Sequence, residues 1–511
     1  MGSSPTGPTI EAIRSRGSGP HAQLRIPALR RIVTTGEFSR PDLADLIIQA
    51  ALSMHEFGHS QLAKGGYFPR VEEVPYRENE HGWPSVTRSF YPFGGKSDFV
   101  EWTSVFGAEK NETLKFDVRD VPALAPLVDE AIADETLDRA FDPLGVGRRD
   151  EAKRRRWLGG GAVTEAARLL MRAEALGDVS EASLRTIYGQ WERGHFEKEI
   201  IGDLLYPILL THFDIDDRVE VGPGVSIERI PEELHRVRAL SIGHSEVNPF
   251  LASAATHALV LHDQRFDNSD GPLARRLKFD VQAPGREAAD LFFQALTVAS
   301  GHESGYAQVC LRPHGWATGW RLDLPPLELV SSLVAYPRAF NGGWNGDGVS
   351  VDAAALGTLP ALLAGLQATT PRAKLAARRL RQSSMREHHD DIVIDACIGI
   401  EALVGEEHDE LVHRMGLRAS VALSKVGWNA NAAYDVLKKV YGHRSKIVHG
   451  TEPKNATITI ADAKYQVAPT AVFLLRSLLQ AHLLATPPWS PAGLDALLFD
   501  AINGHGEGQP Q

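Results

Sequence analysis

VLKKVYGHRSKIVHG, residues 436–450, decides how the last third of this chain folds. With Ala433 just upstream, the apolar residues Val436, Leu437, Val440, Tyr441, Ile447 and Val448 fall on one stripe at helical spacing. Arg444 continues the line of Val440 one turn on, His449 follows Val448, and Gly450 suits the left-handed residue that closes a helix. The pattern predicts a helix over 432–448 whose last turn carries an arginine and a histidine five positions apart. On an ideal helix such residues point about 140° away from each other. A guanidinium supplies a permanent cation for phosphate oxygens, and an imidazole moves protons near neutral pH.

Outward from this stretch the helical period persists. Segments 356–366, 371–385, 390–404 and 407–425 precede it, and a further helix over about 461–485 is expected to be interrupted at Pro469. Short connections imply an antiparallel bundle over 353–490, followed by a tail over 491–511. Before residue 353 the period changes. RVEVGPGVSIERI (218–230) alternates as two strands about a Gly-Pro-Gly turn, and THALVLHDQRF (256–266), AQVCLRP (307–313) and GWRLDL (319–324) are further strand candidates. FNGGWNGDGVS (340–350) reads as a loop. With helices over 163–176 and 183–210, residues 160–352 form a mixed α/β domain. Residues 23–145 make an N-terminal region: a helix over 40–64, an aromatic-containing loop-rich stretch over 65–120, and a helix over 122–140. A basic, glycine-punctuated linker follows, and residues 1–22, rich in Gly, Ser and Pro, read as a disordered tail. The fold class expected is α+β multidomain.

DIVIDACIGIEALV (391–404), ELVHRMGLRASVAL (410–423) and VLKKVYGHRSKIVHG (436–450), in that order and spacing, resemble the HEPN superfamily, and within it the Apea-like HEPN domain. The segment with YPILLTHFDIDD and VEVGPGVSIERIPEEL resembles, more loosely, the domain that often accompanies it. The resemblance implies a HEPN-like bundle that forms a homodimer and often acts as a metal-independent endoribonuclease in antiviral defence or as a toxin. It maps the family's Arg-x(4–6)-His motif onto Arg444 and His449 as catalytic residues, with Ser445 at the usual polar position after the arginine. RNA is the implied partner, together with a phage- or protein-derived trigger. No cofactor is needed for such chemistry. Ser445, Lys446, His443, Arg378 and Arg379 are candidate RNA-binding residues, the last two within the basic stretch Arg372, Lys374, Arg378, Arg379, Arg381 and Arg386. The competing reading of that stretch is a solvated helix face, and of His443 an exposed bystander. Arg444 and His449 also have a purely structural alternative, an arginine paired with a carboxylate and a histidine bonded to a carbonyl. A non-catalytic HEPN interaction module is the corresponding function. Glu401 is expected to pair with Arg418 or Arg414 on the next helix.

Composition bounds these readings. At 511 residues, with 43% hydrophobic and 23% charged residues, the chain is of globular type and too long for one ordinary core. Two cysteines, Cys310 and Cys397, build no disulfide framework, which favours a reducing, cytoplasmic location. No apolar run reads as a membrane span, so no membrane partner is expected. The formal net charge of -11 repels nucleic acid, so any RNA site has to be locally basic.

A second motif competes. His55-Glu56-Phe57-Gly58-His59 matches HExxH, which on a helix sets His55 and His59 on one face for zinc, with Glu56 as general base. No third ligand stands out. Glu72, Glu73, Glu78, Glu80 and His81 lie in a loop-like stretch, and Glu165 is far along the chain. A zinc-dependent hydrolase with the helical bundle as dimeriser is the alternative function. Two partly buried, locally bonded histidines are its structural alternative.

Overall fold

The computed structural model describes residues 38–504, apart from 74, 86–95, 144, 147–150, 241–246, 270–284, 407–410, 451–455 and 461–462. The tail expected over 1–22 lies outside the described residues. The described residues from 39 onward form one compact unit, mixed α and β in content.

At its N-terminal end helix α1 (Pro41–Ala63) begins with proline in its first turn, where a missing N–H costs nothing. The Ser39 and Arg40 amides donate to Glu192 at 3.2 and 2.9 Å, so a carboxylate from a distant helix serves as the cap. Leu43, Ile47, Ile48, Ala51 and Met54 form the buried face of α1. It packs on α2 (Leu124–Ala133), α3 (Gly160–Ala175) and α4 (Glu181–Phe196). The stretch read as a linker is helical instead: Glu151–Arg154 continues through a π-helical turn, Arg155–Gly159, into α3. Two of the glycines there are required by close packing. A Cβ on Gly159 would meet Val128, and one on Gly161 would collide with the Phe141 backbone.

The middle of the chain builds a six-stranded sheet. In chain order its strands are β1 (Glu199–Ile208), β2 (Arg218–Gly222), β3 (Val225–Arg229), β4 (His257–Asp267), β5 (Tyr306–Pro313) and β6 (Glu328–Ala335). The spatial order is β2-β3-β4-β1-β5-β6, antiparallel throughout. The β2–β3 hairpin turns at Gly224, whose φ is 67°, as the Gly-Pro-Gly reading expects. Two strand expectations are corrected. The helix expected over 183–210 stops at Phe196, and β1 takes over. Residues 204–208 of β1 are buried on both faces, and such a continuous apolar run has no period that separates strand from helix. GWRLDL is not a strand, and β6 follows it.

Helix α5 (Glu232–Leu240) follows the hairpin, and α6 (Arg286–Ser300) precedes β5. From residue 353 the chain is mainly helical: α7 (Ala353–Ala368), α8 (Pro371–Ser383), α9 (His389–Val404), α10 (Leu411–Ser424), α11 (Ala430–Val448), α12 (Val467–Leu484) and α13 (Pro491–Gly504). Asp352, Thr370 and Asn429 cap α7, α8 and α11 by accepting from backbone amides. The change of pattern at 352 is crossed by one continuous core. Leu204, Tyr206 and Leu259 of the sheet join Phe292 and Leu296 of α6, Leu359 and Leu363 of α7, and Ile400, Leu437 and Leu475 of the later helices.

Three further expectations change at the C-terminal end. A hairpin, Thr457–Ile460 with Ala463–Gln466, precedes α12. Pro469 sits in the first turn of α12 and interrupts nothing, because a first-turn residue donates no intrahelical hydrogen bond. α12 is also long and apolar enough to cross a membrane by length and composition, but most of it is buried in the protein as a core helix. Finally, 491–504 is a helix and not a tail: Leu494 is fully buried, and Asp495 reaches Arg414 and Arg418.

Candidate functional site

The end of α11 carries the arginine–histidine pair. Its apolar stripe buries Ala433, Val436, Leu437, Val440 and Tyr441, and this fixes the azimuth of Arg444 one turn later. Arg444 turns inward toward α9, where its Nη2 lies 3.7 Å from Glu401 Oε1. Charge-assisted hydrogen bonds of this kind run at about 2.7–2.9 Å, so the pair is loose. Arg444 Nε and Glu401 Oε1 are both buried without a hydrogen-bond partner. Beneath them the Tyr441 hydroxyl donates to the Cys397 carbonyl at 3.2 Å. Burial, with the Glu401 charge, pushes the Cys397 thiol up to about 12 and the Tyr441 phenol up as well.

His449 is the last capping residue of α11. Its amide donates to Ser445 O at 3.1 Å, and Gly450, with φ 68°, donates to Ile447 O at 3.0 Å. The side chains of Ser445, Lys446 and His449 are exposed, and Val448 between them is 53% exposed. The helix therefore presents Arg444 on its inner flank and His449 at its open end, as the 140° splay expects. Two neighbouring expectations are corrected. Glu401 pairs with Arg444, while Arg418 and Arg414 are taken by Asp495 at 2.7 and 2.9 Å, and Arg418 also by Glu406 at 2.7 Å. His443 is buried rather than an exposed bystander, because its position falls on the core side of the stripe, and burial lowers its pKa against the opposing effect of Asp390.

The basic stretch on α8 is mostly committed within the protein. Arg372 donates to the carbonyls of Ala402 (2.9 Å), Glu401 (3.3 Å) and Gly405, closing the C-terminus of α9 just behind Glu401. Arg379 and Arg386 bracket the buried carboxylate of Asp395 at 2.7 and 2.8 Å. Arg381 lies over the Phe293 ring and donates to Ser304 O and Ala335 O, and burial lowers it to about 10. Arg378 and Lys374 are exposed. Of the two arginines singled out as RNA contacts, Arg378 faces solvent and Arg379 is held by Asp395. No local pattern marks Asp395 as the partner of two arginines, since the pairing is made by packing between helices.

Far from this pair in sequence, HExxH sits within α1. Gly58 accepts the Trp102 ring against the helix, where a Cβ would lie 2.6 Å from it. Trp102 Nε1 donates to Glu174 Oε2 at 2.9 Å, and the other oxygen of that carboxylate faces the histidines. Glu174 Oε1 is 3.0 Å from His59 Nε2 and 3.9 Å from His55 Nε2. The side chains of His55 and His59 are 36% and 50% exposed and that of Glu174 is 11% exposed, so the cluster opens to solvent on the histidine side. Burial and the neighbouring His59 lower the His55 pKa, against the raising effect of Glu174. Glu165 is a structural residue: buried, it accepts from Trp191 Nε1 and pairs with Arg168. Glu174 was missed because it lies 115 residues beyond His59 on α3, and only packing brings the two helices together.

A second cluster joins Asp203 of β1, Asp263 of β4 and His314, which follows β5. Arg312 already occupies Asp203 at 2.8 Å, and its guanidinium opposes a further cation there. Comparisons with family models, with curated proteins and with solved structures find no match to this chain.

Proposed function

We propose that the chain is a metal-independent HEPN endoribonuclease, acting as a cytoplasmic homodimer in antiviral defence or as a toxin. The observation that carries this reading is the loosely held guanidinium of Arg444: 3.7 Å from Glu401, with a buried Nε that no hydrogen bond satisfies. Buried donors in folded proteins are nearly always paired, so an unpaired one calls for a partner such as a ligand oxygen, an ion or a water. A phosphate arriving at the end of α11 completes what Glu401 leaves incomplete, while Glu401 keeps the side chain from wandering.

The chemistry follows from the two residue types. The RNA 2′-oxygen attacks phosphorus and gives its proton to His449. The bond from phosphorus to the 5′-oxygen breaks, and the proton held by His449 passes to that oxygen. Arg444 balances the charge that builds on the phosphate oxygens during this exchange. The products are a 2′,3′-cyclic phosphate and a 5′-hydroxyl. Because Arg444 and His449 diverge on one helix, the full set of groups comes from two helix ends meeting across a twofold axis. The exposed Val448 between them supports this, since it offers an apolar contact at the centre of such a meeting. Ser445, Lys446 and Arg378 supply the local positive or polar surface that an acidic protein needs to hold RNA. Residues 39–352 sense or restrain, and a phage- or protein-derived trigger releases the nuclease.

Incubation of the purified chain with total RNA, with and without chelator, tests the reading. Cleavage that persists in chelator is expected. Cleavage abolished by chelator would overturn it.

A further inference from the structure

We propose that His55, His59 and Glu174 bind one zinc ion, with a fourth coordination position open beside Glu56 to water or to a peptide-type carbonyl oxygen. This inference is independent of the ribonuclease reading and uses none of its residues.

Three lines of geometry carry it. First, the donor set is two imidazoles and one carboxylate, a combination that zinc takes with a water in the remaining place. The three ligand atoms lie within 4.8 Å of one another. With metal–ligand bonds of about 2.0–2.1 Å, tetrahedral ligand atoms stand roughly 3.3 Å apart. The distances from Glu174 Oε1, 3.0 Å to His59 and 3.9 Å to His55, bracket that spacing.

Second, the carboxylate is oriented from behind. Trp102 donates to Glu174 Oε2, which leaves Oε1 for the histidines. Outer partners of this kind fix a ligand's direction and basicity. The Trp102 ring reaches Glu174 because position 58 is glycine. So the residue inside HExxH with no side chain is what lets the second helix's ligand be held.

Third, one side is open. Successive residues on a helix step about 100°, so His55 and His59 are about 40° apart and Glu56 lies about 60° beyond His59, on the same half of α1. Glu56 is exposed. It therefore borders the solvent side of the cluster, where a bound water would stand and could give up its proton. A simple histidine–glutamate ion pair would explain the 3.0 Å contact to His59, but not the approach of His55 to the same oxygen.

The test uses the full chain with any affinity tag removed, stripped by chelator and then dialysed against zinc chloride. Zinc per chain is measured for the wild type and for His59→Ala, His55→Asn, Glu174→Gln and Glu56→Gln. One zinc per chain is expected in the wild type and in Glu56→Gln, with loss of that zinc in the other three. His59 is half-exposed, so His59→Ala keeps its fold, and a melting curve that zinc raises in the wild type but not in this variant reads the same site. Cobalt loaded in place of zinc should give a visible spectrum that acetohydroxamic acid changes, as an open position requires. A wild type that holds no more zinc than His59→Ala would overturn the site. A cobalt spectrum indifferent to acetohydroxamic acid would overturn the open position.

Discussion

At the residue scale the proposed cleavage depends on two side chains at one helix end. Arg444→Ala and His449→Ala should each lower RNA cleavage by about 10²–10⁴-fold, the usual contribution of a positioned proton-transfer or charge-stabilising group. His449 is exposed and Arg444 is about a third exposed, so both variants should stay folded, with thermal melts within about 0.5 kcal/mol of wild type for His449→Ala and lower by about 1–2 kcal/mol for Arg444→Ala, which leaves Glu401 unpaired. Loss of fold with loss of activity would instead assign them to the structure. The pair and its setting were legible because the Val440–Arg444 line and the Gly450 cap are local patterns. The position of His443 was misread, since its burial depends on what packs against that side of α11. Nor could Glu401 be assigned to Arg444 from sequence: three arginines lie within reach of α9 in sequence terms, and only the tertiary fold gives two of them to Asp495.

At the element scale two contacts govern whether the site stays assembled. Arg372 on α8 holds the last carbonyls of α9, the turn that carries Glu401. Arg372→Ala should destabilise by about 1–2 kcal/mol and lower cleavage through a loosened Arg444, read as a parallel drop in melting temperature and rate. α13 is the second. Asp495 is held down to about 2 by hydrogen bonds from Arg418 and then Arg414, against the opposing effect of burial. A depressed carboxylate stabilises the fold above its unfolded pKa, so this contribution is complete above about pH 4 and is lost as the pH falls toward 2. Asp495→Ala should therefore cost about 2–3 kcal/mol at neutral pH, moderated by the Glu406 contact that remains to the 1% exposed Arg418. The difference from wild type should vanish in melts at about pH 2. A difference that persists there would mean the loss is packing and not charge. α13 escaped the sequence reading because 491–504 is short, glycine-containing and mildly apolar, and its helix is held by contacts with α10. The helices α8, α9 and α11 carry caps or strong stripes of their own and were placed to within a few residues.

At the scale of the whole molecule two candidate centres occupy opposite ends of the chain, one near residue 55 and one near residue 445. If they are chemically separate, His55→Ala should leave RNA cleavage in chelator unchanged. A large fall would make the N-terminal site a regulator of the other. Sedimentation of the wild type at assay concentration should give the mass of a dimer, because Arg444 and His449 diverge on one copy of α11 and the proposed site draws on two. A monomer with full activity would remove the twofold site. The sheet-and-helix content was legible from the change of period near residue 352. The continuous core across that point was not, since continuity is decided by α6, which the sequence reading did not pick out. The most direct measurement is the chemistry of the cut ends: RNA cleaved by the chain in chelator, with both new termini identified. A 2′,3′-cyclic phosphate and a 5′-hydroxyl are predicted, and a 5′-phosphate with a 3′-hydroxyl would contradict the mechanism.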